Sequence, residues 1–292
     1  MKKILLIVLP LIFISLALTG CSSNSTSADN KVPSKTKIEG IGTITKDKSL
    51  YKSLPSRIKE SNEIVNGIDD SYPPMVFRDD NNNLVGFDID IGRALEAKLG
   101  VKIKNVPTDW SGIIPSLQAK KFDMVLSAMG ITDERKKEVS FSKPYFIGGV
   151  TIISNKDDRN MKSVKDGSDL KGKIVGVQLG SQAIIDYIEK IRGIKKIKKY
   201  DKTTEALQDL TNNRIDAVVD DFQVGSYYIQ KVPGKYQKVD QSIDEPYGIA
   251  FRKNDKQLQK TVQKAIDELK KDGTLSKISK KWFETDIYKN DF

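Results

Sequence analysis

Arg135, in Gly130-Ile131-Thr132-Asp133-Glu134-Arg135, follows the apolar run 122–126 and opens a segment that Thr132 can N-cap as a helix. A planar guanidinium there suits two-pronged capture of a carboxylate. The plainer reading is a surface arginine paired with Asp133 or Glu138. Gly180-Ser181-Gln182 is a second anion feature, because it follows the run 173–177 and Gln178 and opens a helix whose free N–H groups point toward the strand ends. By itself it carries little, since every strand-to-helix turn resembles it. Asp221 and Asp69 each end an apolar run and could hold an ammonium group, although a carboxylate there serves equally as a solvated cap or turn former. Tyr72 and Trp110 fall in loops, where an aromatic ring either packs into the core or flanks a flat or cationic group.

The elements that must position these residues alternate. The run 64–68 is stopped by Asp69-Asp70-Ser71-Tyr72-Pro73-Pro74 and reads as a strand. Gly86-Phe87-Asp88 opens a helix with Ile91, Ala94, Leu95 and Leu99 on one face and Gly100 as its C-cap. Strands over 101–106, 122–126, 173–177 and 215–219, and near Ile197, are separated by helices over 113–119, around Ile184 to Ile191 and around Ala206 to Leu210. The pattern predicts α/β units around mainly parallel sheets. Two units look alike: Lys121-Phe122-Asp123 before an apolar run matches Arg214-Ile215-Asp216 before another. Ligands of open α/β sheets bind beyond the carboxyl ends of the strands, which singles out Ser127 to Gly130 after one run and Asp220 to Asp221 after the other.

Several classes of chemistry are excluded. With no histidine and one cysteine, there is no Ser-His-Asp triad, no imidazole acid or base, no disulfide framework within the chain and no thiolate-rich metal site. No phosphate-cradling glycine motif and no carboxylate pair at glycosidase spacing occurs. Neither a cofactor nor a metal is therefore expected. The formal charge of +10 comes mostly from lysines interspersed with acids, as in Lys195 to Lys199 beside Asp201; this is a solvated surface and not a nucleic-acid site.

The N-terminus differs from the rest. Lys2 and Lys3 precede an apolar run over 4–17, too short to span a bilayer, that leads into Leu18-Thr19-Gly20-Cys21. This reads as a secretion signal over 1–20. The Leu-Thr-Gly-Cys stretch resembles a bacterial lipobox, which implies cleavage before Cys21 and lipid on its thiol. Residues 21–50 are too polar to bury a face and read as a flexible tether. The 292 residues leave room for about two domains.

Together, Ser71-Tyr72-Pro73-Pro74, Leu84-Val85-Gly86-Phe87-Asp88-Ile89-Asp90, Thr108-Asp109-Trp110-Ser111-Gly112, Ile131-Thr132-Asp133-Glu134-Arg135, Phe141-Ser142-Lys143-Pro144-Tyr145, Pro246-Tyr247-Gly248-Ile249-Ala250 and Lys281-Trp282-Phe283 resemble the solute-binding proteins of polar amino acid ABC importers, family 3. The resemblance implies a type II periplasmic binding protein fold, α/β in class, with two lobes joined by two crossing strands near 148–153 and 247–251. Lobe 1 would comprise 51–149 and 246–292, and lobe 2 would comprise 150–245. The implied protein is a lipid-anchored monomer on the extracytoplasmic face of the cell membrane. It would capture a free polar or cationic amino acid and deliver it to an ABC permease and its ATPase. Carried over by position, Arg135 binds the α-carboxylate with help from Ser127, Gly130 and Ser181, Asp221 takes the α-amino group, Tyr72 and Trp110 flank the side chain, and Asp69 lies near its far end. Ala128, Gln178 and Gln182 complete the expected lining. Ala128, Gly130 and Gln182 stand where the family frequently carries hydroxyl residues.

The same fold resembles cyclohexadienyl dehydratases and ligand-sensing domains. A sensor would require a membrane span and an output domain, and a dehydratase a carboxylic acid over the substrate ring. Charges matched to a zwitterion, with no perturbed acid–base pair, favour binding over catalysis.

Overall fold

The computed structural model describes residues 32–158, 161 and 164–289, the side chain of Ser242 excepted. Two five-stranded sheets form the frame. In the first, Lys102–Pro107, Glu63–Ile68 and Met124–Val125 run parallel, and Ala250–Arg252 lies antiparallel between Met124–Val125 and Val139–Phe141. In the second, Lys196–Tyr200, Ile174–Gln178 and Ala217–Asp221 run parallel, followed by Phe146–Asn155 and Tyr236–Tyr247 in antiparallel pairing. Apolar clusters cover both faces of each sheet, as parallel strands require.

Local signals account for the helices. Phe87–Leu99 ends on Gly100 at φ 70°, a conformation that costs glycine little. Thr132 accepts from the Arg135 N–H and caps Asp133–Glu138. The two similar segments do the same work in the two sheets. Asp123 accepts from the Val65 N–H at 2.9 Å and Asp216 from the Ile174 N–H at 2.6 Å, each tying a loop to the edge of the neighbouring parallel strand. The matching backbone bonds, Asp123 N–H to Val65 O and Asp216 N–H to Ile174 O, complete both clasps.

The chain passes from the first sheet to the second between Phe141 and Phe146, and back between Tyr247 and Ala250. The first passage therefore lies before 148–153, the second within 247–251. Phe146 stacks on Tyr247 at this junction, with ring centroids 5.4 Å apart.

The tether expected over 21–50 needs correction where it is described. Lys35–Ile38 and Gly42–Thr45 form an antiparallel hairpin, and Ile38, Ile41 and Ile44 are buried in the core beside Phe87–Leu99. Isolated isoleucines in polar sequence are a poor periodic signal, but three of them on one small hairpin suffice to cover the back of a helix. Asp47 N–H to Lys98 O at 2.8 Å fixes the exit. The expected signal over 1–20, the lipid-bearing Cys21 and residues 21–31 lie outside the described residues. Among the described residues, no helix is long and apolar enough to cross a membrane.

Candidate functional site

Four of the parallel strands end on, or run directly into, polar residues at the cavity. Glu63–Ile68 delivers Asp69, Met124–Val125 delivers Ser127, Ile174–Gln178 ends on Gln178 and Ala217–Asp221 on Asp221. With Tyr72, Trp110, Ala128, Gly130, Arg135 and Ser181, these residues line one cavity between the sheets, completed by Ile184 and Glu245. Ten of the eleven residues singled out from sequence meet there. Gln182 does not; its amide donates to Asp186 within its own helix at 2.6 Å.

Arg135 is buried and lends one guanidinium nitrogen to Gly130 O at 2.8 Å and another to Gly180 O at 2.9 Å, so it spans the two sheets. The surface-pair alternative is thereby removed. Its guanidinium carbon stands 5.6 Å from the centre of the Trp110 ring. Burial pulls the Arg135 pKa down and the nearby Glu245 and Asp221 carboxyls push it back up. Asp69 accepts from Ser71 N–H at 2.9 Å and from Gln178 Nε2 at 2.6 Å, while its own N–H donates to Ser127 Oγ at 3.0 Å. Behind Ser127, Asp88 and Tyr145 both bond the N–H of Ala128, which holds φ 48°. A buried anchor of this kind is what sustains an alanine in the left-handed region.

The Tyr72 hydroxyl shares its proton between Asp220 Oδ1 at 2.7 Å and Asp221 Oδ2, so this ring, on the short strand Ser71–Tyr72 that follows Glu63–Ile68, ends on the acids of the second sheet. Asp220 is pushed up to about 7 by burial and by Asp221. Burial, and then repulsion from Glu245, raise Asp221 well above the ordinary carboxylate range; burial raises Glu245 as well. The expectation of a cleft without perturbed acids is thus corrected, because two strands bring three carboxyl groups together where water cannot screen them.

Glu245 was not among the residues expected at the site. The available signal was its place two residues before Tyr247 on one extended strand, which puts both side chains on the same face. Ile184 read as a core residue of a helix face and is that too, but it sits in the first turn and reaches the cavity rim.

Comparison with known proteins agrees with this architecture. Residues 64–285 match the model of the bacterial extracellular solute-binding proteins, family 3. The chain is 35% identical over 239 residues to the L-cystine-binding protein TcyJ of Escherichia coli (strain K12), covering 82% of this chain and 89% of that one. It is similar to an ancestral arginine-binding protein solved with arginine bound, at 45% identity and TM-score 0.72 over 76% of this chain and 98% of that one. An ancestral amino acid-binding protein that is a precursor of cyclohexadienyl dehydratase aligns at 41% identity and TM-score 0.71, over 78% and 98%. The fold is the type II periplasmic binding protein fold, with two α/β lobes, and the chain belongs to the bacterial extracellular solute-binding proteins, family 3.

Proposed function

We propose that this protein captures a free cationic or uncharged polar amino acid in the cleft and hands it to an ABC permease driven by its ATPase. The observation that carries the reading is the charge arrangement of the cavity: one buried guanidinium, Arg135, faces the buried carboxyls of Asp69, Asp221 and Glu245 between the rings of Tyr72 and Trp110. A zwitterion satisfies Arg135 with its carboxylate and Asp221 with its ammonium group, and the remaining negative charge favours a cationic or dipolar side chain. Relatives named for L-cystine and for arginine support that class.

In this reading lobe 1 comprises 51–149 and 246–292, extended by the N-terminal hairpin, and lobe 2 comprises 150–245. The protein acts as a monomer without metal or cofactor, held on the extracytoplasmic face by lipid on Cys21. Cys21→Ser should release it from membranes, since a diacyl anchor outweighs any contact a polar leader makes. Retention of a folded variant on membranes would remove the anchor from the reading.

The deciding experiment is a thermal-shift screen against the standard amino acids plus ornithine, citrulline and cystine. A true ligand at 100 times its dissociation constant adds about 2.7 kcal/mol of stability. Absence of any shift would end the capture reading. Prephenate and arogenate should give no aromatic product with the protein; rising product absorbance would favour an enzyme.

A further inference from the structure

Glu245 sits where Gly130 leaves room for it. A Cβ added at Gly130 would lie 2.0 Å from Glu245 Oε1, so any other residue at 130 displaces the carboxylate. An acid from the returning strand Tyr236–Tyr247 fills the space beside Gly130. Glu245 Oε2 and Asp221 Oδ1 are both buried at the cavity, and among the described residues neither accepts a hydrogen bond from any N–H or O–H. Two buried acceptors without donors, on two facing carboxyl groups, are costly unless something positive lies between them.

We propose that Glu245 is a second ligand contact: with Asp221 it forms a carboxyl pair that holds one proton in the empty cleft and receives the ligand's α-ammonium group in the filled one, so that capture expels a proton. The inference rests on the capture reading above. Charge balances at each step, since one positive charge enters as the ammonium group and one leaves as a proton taken up by buffer. No covalent bond of the ligand changes.

The surroundings fit this exchange. Asp221 Oδ2 is already taken by the Tyr72 hydroxyl and the Asp221 N–H by Asp220 Oδ1 at 2.8 Å, which leaves Oδ1 as the free acceptor. The Tyr247 hydroxyl, which accepts from Gln223 Nε2 at 2.6 Å, lies beside the pair. Arg135 is the cation facing Glu245, and it commits two nitrogens to Gly130 O and Gly180 O. Asp220 adds a further negative field behind Asp221. Burial and mutual repulsion therefore make the doubly ionised pair unfavourable until a cation arrives, which is the behaviour of two acids titrating as one unit. The linkage sign follows: protonation of the pair competes with the ligand, so affinity falls as pH falls through the pair's raised range.

Calorimetric titration with L-arginine, L-glutamine and L-cystine, in two buffers of different ionisation enthalpy near pH 7, counts the protons released. We expect about one proton per bound ligand for the unaltered protein and clearly fewer for Glu245→Gln. As pH falls through the pair's raised range the unaltered protein's affinity should fall by up to about tenfold per unit, and the variant's by less. Equal proton release, or equal pH slopes, in the two proteins overturns the proposal. A ligand-independent arm follows the Asp221 carboxyl by ¹³C NMR in the ligand-free protein, where Glu245→Gln should move its titration downward; an unmoved titration overturns the shared proton. If none of the three ligands binds and the wider thermal-shift screen is silent as well, the capture reading fails, while the NMR arm still decides the pair.

Discussion

Gln178 Nε2 donates to Asp69 Oδ2 at 2.6 Å, so the residue that ends a strand of one sheet holds the carboxylate that ends a strand of the other. Gln178→Ala leaves that buried oxygen without its cross-cleft donor, a loss expected to cost about 1–3 kcal/mol. It should appear as weaker ligand binding in calorimetry and as a larger radius of gyration by small-angle X-ray scattering with ligand present. An unchanged affinity and radius would show that this contact does not help to close the lobes.

Arg135→Ala removes the cavity's one guanidinium and should weaken binding by about 2–5 kcal/mol, the usual cost of truncating one partner of a desolvated charge pair. Arg135→Lys should recover only part of this, because an ammonium group cannot make two parallel bonds to a carboxylate. The melting temperature of the ligand-free variants separates loss of binding from loss of the bonds to Gly130 and Gly180.

Trp110→Ala should weaken an arginine, histidine or glutamine ligand roughly tenfold while leaving the α-group contacts intact, since an aromatic face contributes about 0.5–2 kcal/mol to a cation. Aspartate and glutamate should bind poorly beside Asp69 and Glu245. Glutamate as the tightest ligand in a competition assay would refute the roles given to Tyr72, Trp110 and Asp69.

Stability of the ligand-free protein should rise on acidification. Burial pushes Asp88 and Asp220 from the ordinary 3.8 up to about 7, so between those values the folded chain keeps protons that the unfolded chain releases. Their contribution is complete below about pH 4 and is lost as pH rises through about 7. The melting temperature should therefore be higher at about pH 5 than at about pH 8, and Asp88→Asn or Asp220→Asn should each flatten the difference.

Ile44→Ala tests whether the N-terminal hairpin belongs to the folded unit. Ile44 is buried against the core around Phe87–Leu99, and truncation of a buried isoleucine costs about 2–5 kcal/mol. Denaturant unfolding with an unchanged midpoint would return this segment to a tether.

The alternation of strands and helices, the N-cap at Thr132, the C-cap at Gly100 and the duplicated Asp123 and Asp216 were all legible in the sequence, because each depends on residues a few positions apart. The polar residues after the apolar runs were legible for the same reason, since parallel strands place their carboxyl ends on one side. Contacts between distant segments were not. Whether Arg135 faced solvent or the cleft was decided by Gly180, 45 positions away, whose carbonyl it reaches only once the two sheets meet. Glu245 joined Asp221 through strand pairing that sequence periodicity does not encode, and Gly130 acquired its meaning from the carboxylate packed against it. Local sequence fixes which backbone forms where; the perturbed acids of the cleft exist only because tertiary packing removes water from several charges at once.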